Sequence, residues 1–267
     1  MIWLARRIWR DFQNWDRPTQ IAFSLALILG IFGIIFTALA PQEQRFGLAI
    51  GVGALLLVAE IAVLWGGRGA VTPYSAAQHK YLAGDLDGAR DILERARESG
   101  HADMRALTLL GATYRQFGAL DQSAAVLYEA LDKVPEHHYP LYNLGRTLLA
   151  MGRYIDAVAL IEQAIVAGAP QTASFDLGEG LILAGQPENA LPHLVADHFQ
   201  EAHRTAMVGW WRWQLGVDKN PPEAGVLRDG LPYWKAAAQR FEATPYGTAI
   251  EANIEAIQRY LRSLEDV

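Results

Sequence analysis

Few residue clusters in this 267-residue chain have the types and spacing to do chemistry. Gly84-Asp85-Leu86-Asp87-Gly88 sets two carboxylates in a glycine-flanked turn, like the start of a calcium loop. The further oxygen ligands and closing Glu of such a loop do not follow. His137-His138, and His193 with His198, offer imidazoles, but neither pair has the i, i+4 spacing that puts two ligands on one helical face. No cysteine is present, which removes disulfides, thiolate metal sites, iron–sulfur clusters and cysteine nucleophiles together. No phosphate-cradling glycine loop, nucleophile elbow or paired-carboxylate constellation stands out. The expectation is a non-enzyme: no catalytic residues, no metal site and no cofactor.

Charge narrows the partners. Residues 1–69 carry six arginines against four acidic residues, a balance of +2, so the remainder, with 17 basic and 25 acidic residues, carries −8. An acidic body does not suit nucleic acid, whose binding rests on neutralising phosphates with Lys and Arg.

The elements that must position any functional side chain are written in a repeat. Ala77, Gly111 and Gly145 are 34 residues apart. So are Gly84, Gly118 and Gly152, then Ala89, Ser123 and Ala157, then Leu93, Leu127 and Ile161, then Ala96, Ala130 and Ala164. A fourth copy comes one residue early, with Gly178, Gly185, Ala190 and Leu194. Each copy holds two apolar helical patterns split by a glycine turn, small residues such as Gly111 and Ser123 letting the two helices pack closely. One such pair cannot bury its own apolar face, so neighbours must stack. The fold class expected is all-α.

These columns resemble the tetratricopeptide repeat family, in the Leu110-Gly111, Tyr114, Gly118, Ser123, Leu127, Ala130 and Pro135 series and in Leu144-Gly145, Gly152, Ala157, Ile161, Ala164 and Pro170. The resemblance covers residues 70–198 and implies an α-solenoid whose first helices line a protein-binding groove. Carried onto this chain, the groove positions are Tyr74, Gln78 and Tyr81, then Arg105, Thr108, Ala112 and Arg115, then Tyr139, Tyr142, Asn143 and Arg146, then Phe175 and Glu179. Tyr and Arg are typical interface anchors, so the partner expected is a protein, offering a peptide or helix with apolar anchors and some acidic character. The family's clamp for chaperone tails needs Lys and Asn where this chain has Tyr74, Gln78, Leu109 and Tyr139, or Thr108, Ala112, Thr172 and Asp176 in the next register; only Asn143 fits, so that ligand is not expected.

Ahead of the repeats, residues 1–69 read as a membrane module. Met1–Trp15 places Leu4, Ala5, Ile8, Trp9, Phe12 and Trp15 on one helical arc and Arg6, Arg7 and Arg10 on the other, the pattern of a helix lying in membrane lipid headgroups. Residues 20–40 hold no charge and residues 46–65 hold only Glu60, with Pro41–Arg45 as a polar turn, so two transmembrane helices form a hairpin. Ala22, Ala26 and Gly30 in the first span, and Gly47 and Gly51 in the second, recur at four-residue steps that allow close backbone packing. Arg6, Arg7, Arg10 and Arg17 before the hairpin and Arg68 and Lys80 after it, against Arg45 alone in the turn, put the N-terminus and the repeats in the cytoplasm.

Residues 199–267 lose the register but remain helical, with Trp210, Trp211 and Trp213 crowded together and a stripe of Ile250, Ile254, Ile257, Leu261 and Leu264. They are expected to cap the open end of the solenoid. The function expected is that of an integral membrane tetratricopeptide adaptor that recruits or assembles another protein, itself a candidate membrane protein. The alternative is an accessory subunit of a larger membrane complex, bound mainly through its hairpin.

Overall fold

The computed structural model describes residues 17–69, 72–195 and 199–265, with helices and connecting turns and no strand among them. The chain divides into two compact units, Met1–Thr72 and Pro73–Val267. The expected headgroup helix Met1–Trp15 and the side chain of Ala22 lie outside the described residues.

The first unit is a hairpin of α1 (Arg17–Leu39) and α2 (Gln42–Gly69). Sequence reasoning puts a polar turn at Pro41–Arg45, but the chain is helical again from Gln42. Pro41 supplies a φ already suited to a helix start, and its carbonyl accepts the Gln44 N–H at 3.0 Å. Arg45 reaches back to donate to the Ala40 carbonyl at 2.9 Å and the Ala38 carbonyl at 3.4 Å, satisfying the end of α1. A Cβ on Gly33 would lie 2.7 Å from Val52 Cγ2, which marks a close approach of the two helices. Ala26, Gly30 and Ala59 are buried, whereas Gly47, Gly51 and Glu60 are exposed. Large apolar side chains cover the outside of the hairpin, from Ile61 at 46% exposed to Leu39 at 80%. Among the described residues, Gln42–Ile61 is long and apolar enough to cross a membrane; Phe23–Leu39 is apolar but shorter.

The second unit opens with paired helices: α3 (Pro73–Leu82) with α4 (Leu86–Glu98), α5 (Met104–Gln116) with α6 (Leu120–Lys133), and α7 (His138–Ala150) with α8 (Tyr154–Val166). α9 (Ala173–Leu183) pairs with the single turn α10 (Pro187–Ala190), which passes into a 3₁₀ turn at Leu191–His193. The fourth pair is cut short because Pro192 cannot donate to the helical ladder and clashes with the preceding turn. Gly84, Gly118, Gly152 and Gly185 turn each pair at φ between +72° and +81°, a conformation that residues with a Cβ rarely adopt.

The 34-residue columns become one contact made three times. A Cβ on Gly111 would sit 2.5 Å from Leu127 Cγ, one on Gly145 2.6 Å from Ile161 Cγ1, and one on Gly178 2.6 Å from Leu194 Cδ2. Glycine on the first helix thus lets the bulky residue of the second lie against its backbone. The acidic turn at Gly84–Gly88 is a helix start: Asp85 Oδ1 accepts the Gly88 N–H at 2.9 Å, and its other oxygen takes the Lys80 ammonium at 2.8 Å.

Three further helices follow: α11 (Ala202–Gln214), α12 (Ala224–Arg240) and α13 (Pro245–Glu265). They share one hydrophobic core with α6 to α10, running from Leu120 and Leu127 through Phe175, Trp211 and Trp234 to Ile257 and Leu261, while α3, α4 and α5 pack in a second cluster around Leu93, Leu107 and Leu110. Ile250, Ile254, Ile257 and Leu261 are buried in it and Leu264 is exposed. Trp210 and Trp211 are buried too, so they pack inward and form no exposed aromatic patch.

Candidate interaction groove

The first helices α3, α5, α7 and α9 carry the residues expected to face a ligand, and the structure divides them in two. Gln78 and Arg105 are exposed, and Tyr74, Tyr81 and Tyr139 are half-buried. Gln116 Nε2 donates to Tyr81 Oη at 3.3 Å, and burial together with the hydrogen-bonded Tyr74 pushes the Tyr139 phenol up to about 12. This part of the face is an aromatic cluster with an arginine at its edge, the composition that serves as interface anchors.

The other part is closed by the protein itself. Arg115, only 5% exposed, donates from Nη1 to the Asn143 carbonyl at 3.0 Å and from Nη2 to Asn143 Oδ1 at 3.2 Å. Its Nη1 also lies 3.3 Å from Thr147 Oγ1, and Ser123 Oγ joins Thr147 Oγ1 to the Gly111 carbonyl. Arg115 and Asn143 therefore lock α5 to α7 instead of facing outward. Tyr142 bonds Asp176 through its hydroxyl, and burial and the carboxylate hold its pKa above the ordinary phenol range. Arg146 Nε lies 3.4 Å from Asp176 Oδ1, with the Tyr142 ring 5.7 Å beneath its guanidinium. Phe175 is buried, stacked on Trp211 at 5.8 Å and set against Trp234 at 6.0 Å.

The covering elements are α12 and α13. Trp234 Nε1 donates to the His203 carbonyl at 2.8 Å, fixing α12 on α11, and Tyr246 at the start of α13 donates to Glu179 Oε1 at 3.1 Å. Glu179 is 2% exposed, and burial followed by the nearby Asp176 charge raises it to about 8, so it is mostly protonated at neutral pH. Burial and the Arg146 charge pull Arg115 down to about 10, which leaves it cationic. Asp176, Tyr233, Arg240 and Tyr246 thus belong to this face beside the residues expected from the repeat. The last three sit outside the 34-residue register, so no periodicity points to them. Among the described residues no group of three or more His, Asp or Glu could hold a metal ion.

The tetratricopeptide repeat family profile matches residues 74–138 and 142–194. No curated protein matches the sequence. Among solved structures, a thermophilic tetratricopeptide protein from Thermus thermophilus is 15% identical, covers 70% of this chain and 97% of its own, and superposes with a TM-score of 0.47. A structure of MamA is 16% identical over 62% of this chain and 95% of its own, with a TM-score of 0.43. A second MamA structure, from MSR-1, is 21% identical over 64% and 93%, with a TM-score of 0.42. Residues 74–138 and 142–194 match as tetratricopeptide repeats, and the Gly111, Gly145 and Gly178 contacts recur within that stretch. The repeat class is that of protein-interaction scaffolds, which are generally not enzymes.

Proposed function

We propose that this protein is a membrane-anchored tetratricopeptide adaptor that captures a partner protein on the open part of its groove, at Tyr74, Gln78, Tyr81, Arg105 and Tyr139. The observation that carries the reading is the division of the groove. Arg115, Tyr142, Asn143, Arg146 and Phe175 are engaged by their own chain, whereas Gln78 and Arg105 face solvent beside a cluster of half-buried tyrosines. A peptide or helix with apolar anchors and an acidic residue for Arg105 is the complement.

Membrane anchoring is supported by the hairpin's outward apolar side chains, which in water would form an exposed patch far larger than a soluble protein carries. In this reading both helices span the bilayer, the N-terminal segment lies on lipid, and the arginine distribution puts the repeats on the cytoplasmic side. A second reading, an accessory subunit held through its hairpin, is favoured by Gly47, Gly51 and Glu60, which face outward from α2 instead of packing on α1.

The two readings separate on a groove variant. Tyr81→Ser with Tyr139→Ser in the full chain is expected to abolish co-purification of the partner from detergent-solubilised membranes while the melting temperature shifts by only a few degrees. Unchanged co-purification would assign the contact to the hairpin.

A further inference from the structure

Between the C-terminal ends of α5 and α7 and the helices α12 and α13 lies a cavity of about 40 Å³. Arg115, Arg146 and Arg240 line it together with Tyr233, against Asp176 as the one carboxylate in the lining. That carboxylate is already shared: one oxygen accepts the Tyr142 hydroxyl and the other faces Arg146 Nε. Glu179 lies close behind but is mostly protonated at neutral pH and offers little compensating charge. The surroundings therefore carry a surplus of positive charge in a place partly shielded from water.

The donors are also in surplus. A guanidinium presents five N–H groups and no acceptor. Among the described residues Arg146 has the 3.4 Å contact to Asp176 and the Tyr142 ring, and no hydrogen bond. Arg240 stands over Phe241 at 5.9 Å, with no carboxylate within ion-pair distance among the described residues. Arg240 is exposed and the Arg146 side chain is 30% exposed, so these donors stand at the open side of the cavity, where an entering anion can meet them. At roughly 10–15 Å³ of such volume per water, the cavity takes about three to four water-sized groups, close to the four oxygens of a tetrahedral oxyanion. It is several-fold smaller than the roughly 300 Å³ at which cofactor and drug pockets begin.

We propose that this cavity binds a small inorganic oxyanion of the phosphate or sulfate class, held by the guanidiniums of Arg115, Arg146 and Arg240. Such an ion has acceptors on four corners and one or two negative charges, which answers both surpluses, and Arg forks match its geometry. Because Arg115 and Arg146 come from α5 and α7 and Arg240 from the end of α12, the bound ion ties the C-terminal helices to the repeats. It is a site within the soluble unit and stands whether or not the hairpin spans a membrane.

The test is isothermal titration of the purified full chain with sodium phosphate and with sodium sulfate, at ionic strength fixed by chloride. One saturable site is expected, with a melting temperature that rises as it fills. Arg240→Gln removes one fork from an exposed position and is expected to weaken binding about tenfold while the fold persists. Arg146→Lys, which keeps the charge but loses the fork, should do likewise, and Arg228→Gln, whose residue pairs with Glu265 elsewhere, should change nothing. O-phosphoserine distinguishes a free ion from a phosphoryl group on a partner: the cavity is expected to refuse it where phosphate saturates, and effective competition would overturn the free ion as occupant. Absence of saturable binding, equal stabilisation by chloride, or affinity unchanged in Arg240→Gln would each overturn the site.

Discussion

Glu179→Gln is the perturbation whose consequence can be worked furthest. The side chain is buried against Tyr246 and Asp176, and its pKa is raised from 4.5 to about 8. The folded state therefore binds a proton that the unfolded state has released, and stability contributed by the neutral acid is full below pH 4.5 and is lost as pH rises through about 8. His137 and His203 are shifted the other way, below 6.5, by burial and by neighbouring positive charge, so their changes fall at lower pH. Their unfolded-state titration around pH 6.5 adds a small gain of stability of opposite sign, common to wild type and variant, so the difference between the two profiles from pH 6.5 to 8 isolates Glu179. Across it the unfolded glutamate is ionised throughout while the folded one goes from protonated to about half ionised, a loss of stability on the order of 1–2 kcal/mol. Gln keeps the shape and the acceptor for Tyr246 but cannot ionise. Urea unfolding of the full chain in mild detergent, followed by tryptophan fluorescence from the Trp211 and Trp234 core, should show the wild type weakening by that amount relative to the variant. Parallel pH profiles for the two proteins would refute the reasoning.

Three further outcomes are open to measurement. Gly111→Ala drives a Cβ to 2.5 Å from Leu127 Cγ and should destabilise the repeats by about 1–3 kcal/mol. Gly225→Ala, on a helix with nothing within 4 Å of the new methyl group, should be neutral or stabilising by up to about 1 kcal/mol in the same melts. Protease added to sealed, right-side-out vesicles should leave the repeats intact, and digestion only after the vesicles are opened supports the cytoplasmic orientation. Cleavage of the repeats in sealed vesicles would reverse it.

The repeats were the legible part of this fold because they are local. Gly111 and Leu127, Gly145 and Ile161, and Gly178 and Leu194 are each 16 residues apart, and their recurrence at nearly fixed spacing exposes the contact in the sequence. The apolar stripe of α13 was legible too, and what it packs against was not. Tyr246 meets Glu179 across 67 residues with no register to connect them, so periodicity could not show that α12 and α13 return onto the first helices. For the same reason Arg115 and Asn143 read as ligand contacts. Their residue types suit an interface, and only the spatial arrangement shows that each is the other's partner. Pro192 was visible, yet the strong Gly178 and Leu194 match masked how short the fourth pair's second helix becomes.

The adaptor reading turns on which surface meets the partner. A photoactivatable crosslinking side chain placed at Tyr81, at Tyr139 and, separately, at Gly51 of the full chain in native membranes, with adducts mapped by mass spectrometry, tests it most directly. Adducts to one partner protein from Tyr81 and Tyr139, with none from Gly51, are the predicted result. Adducts from Gly51 alone would contradict it.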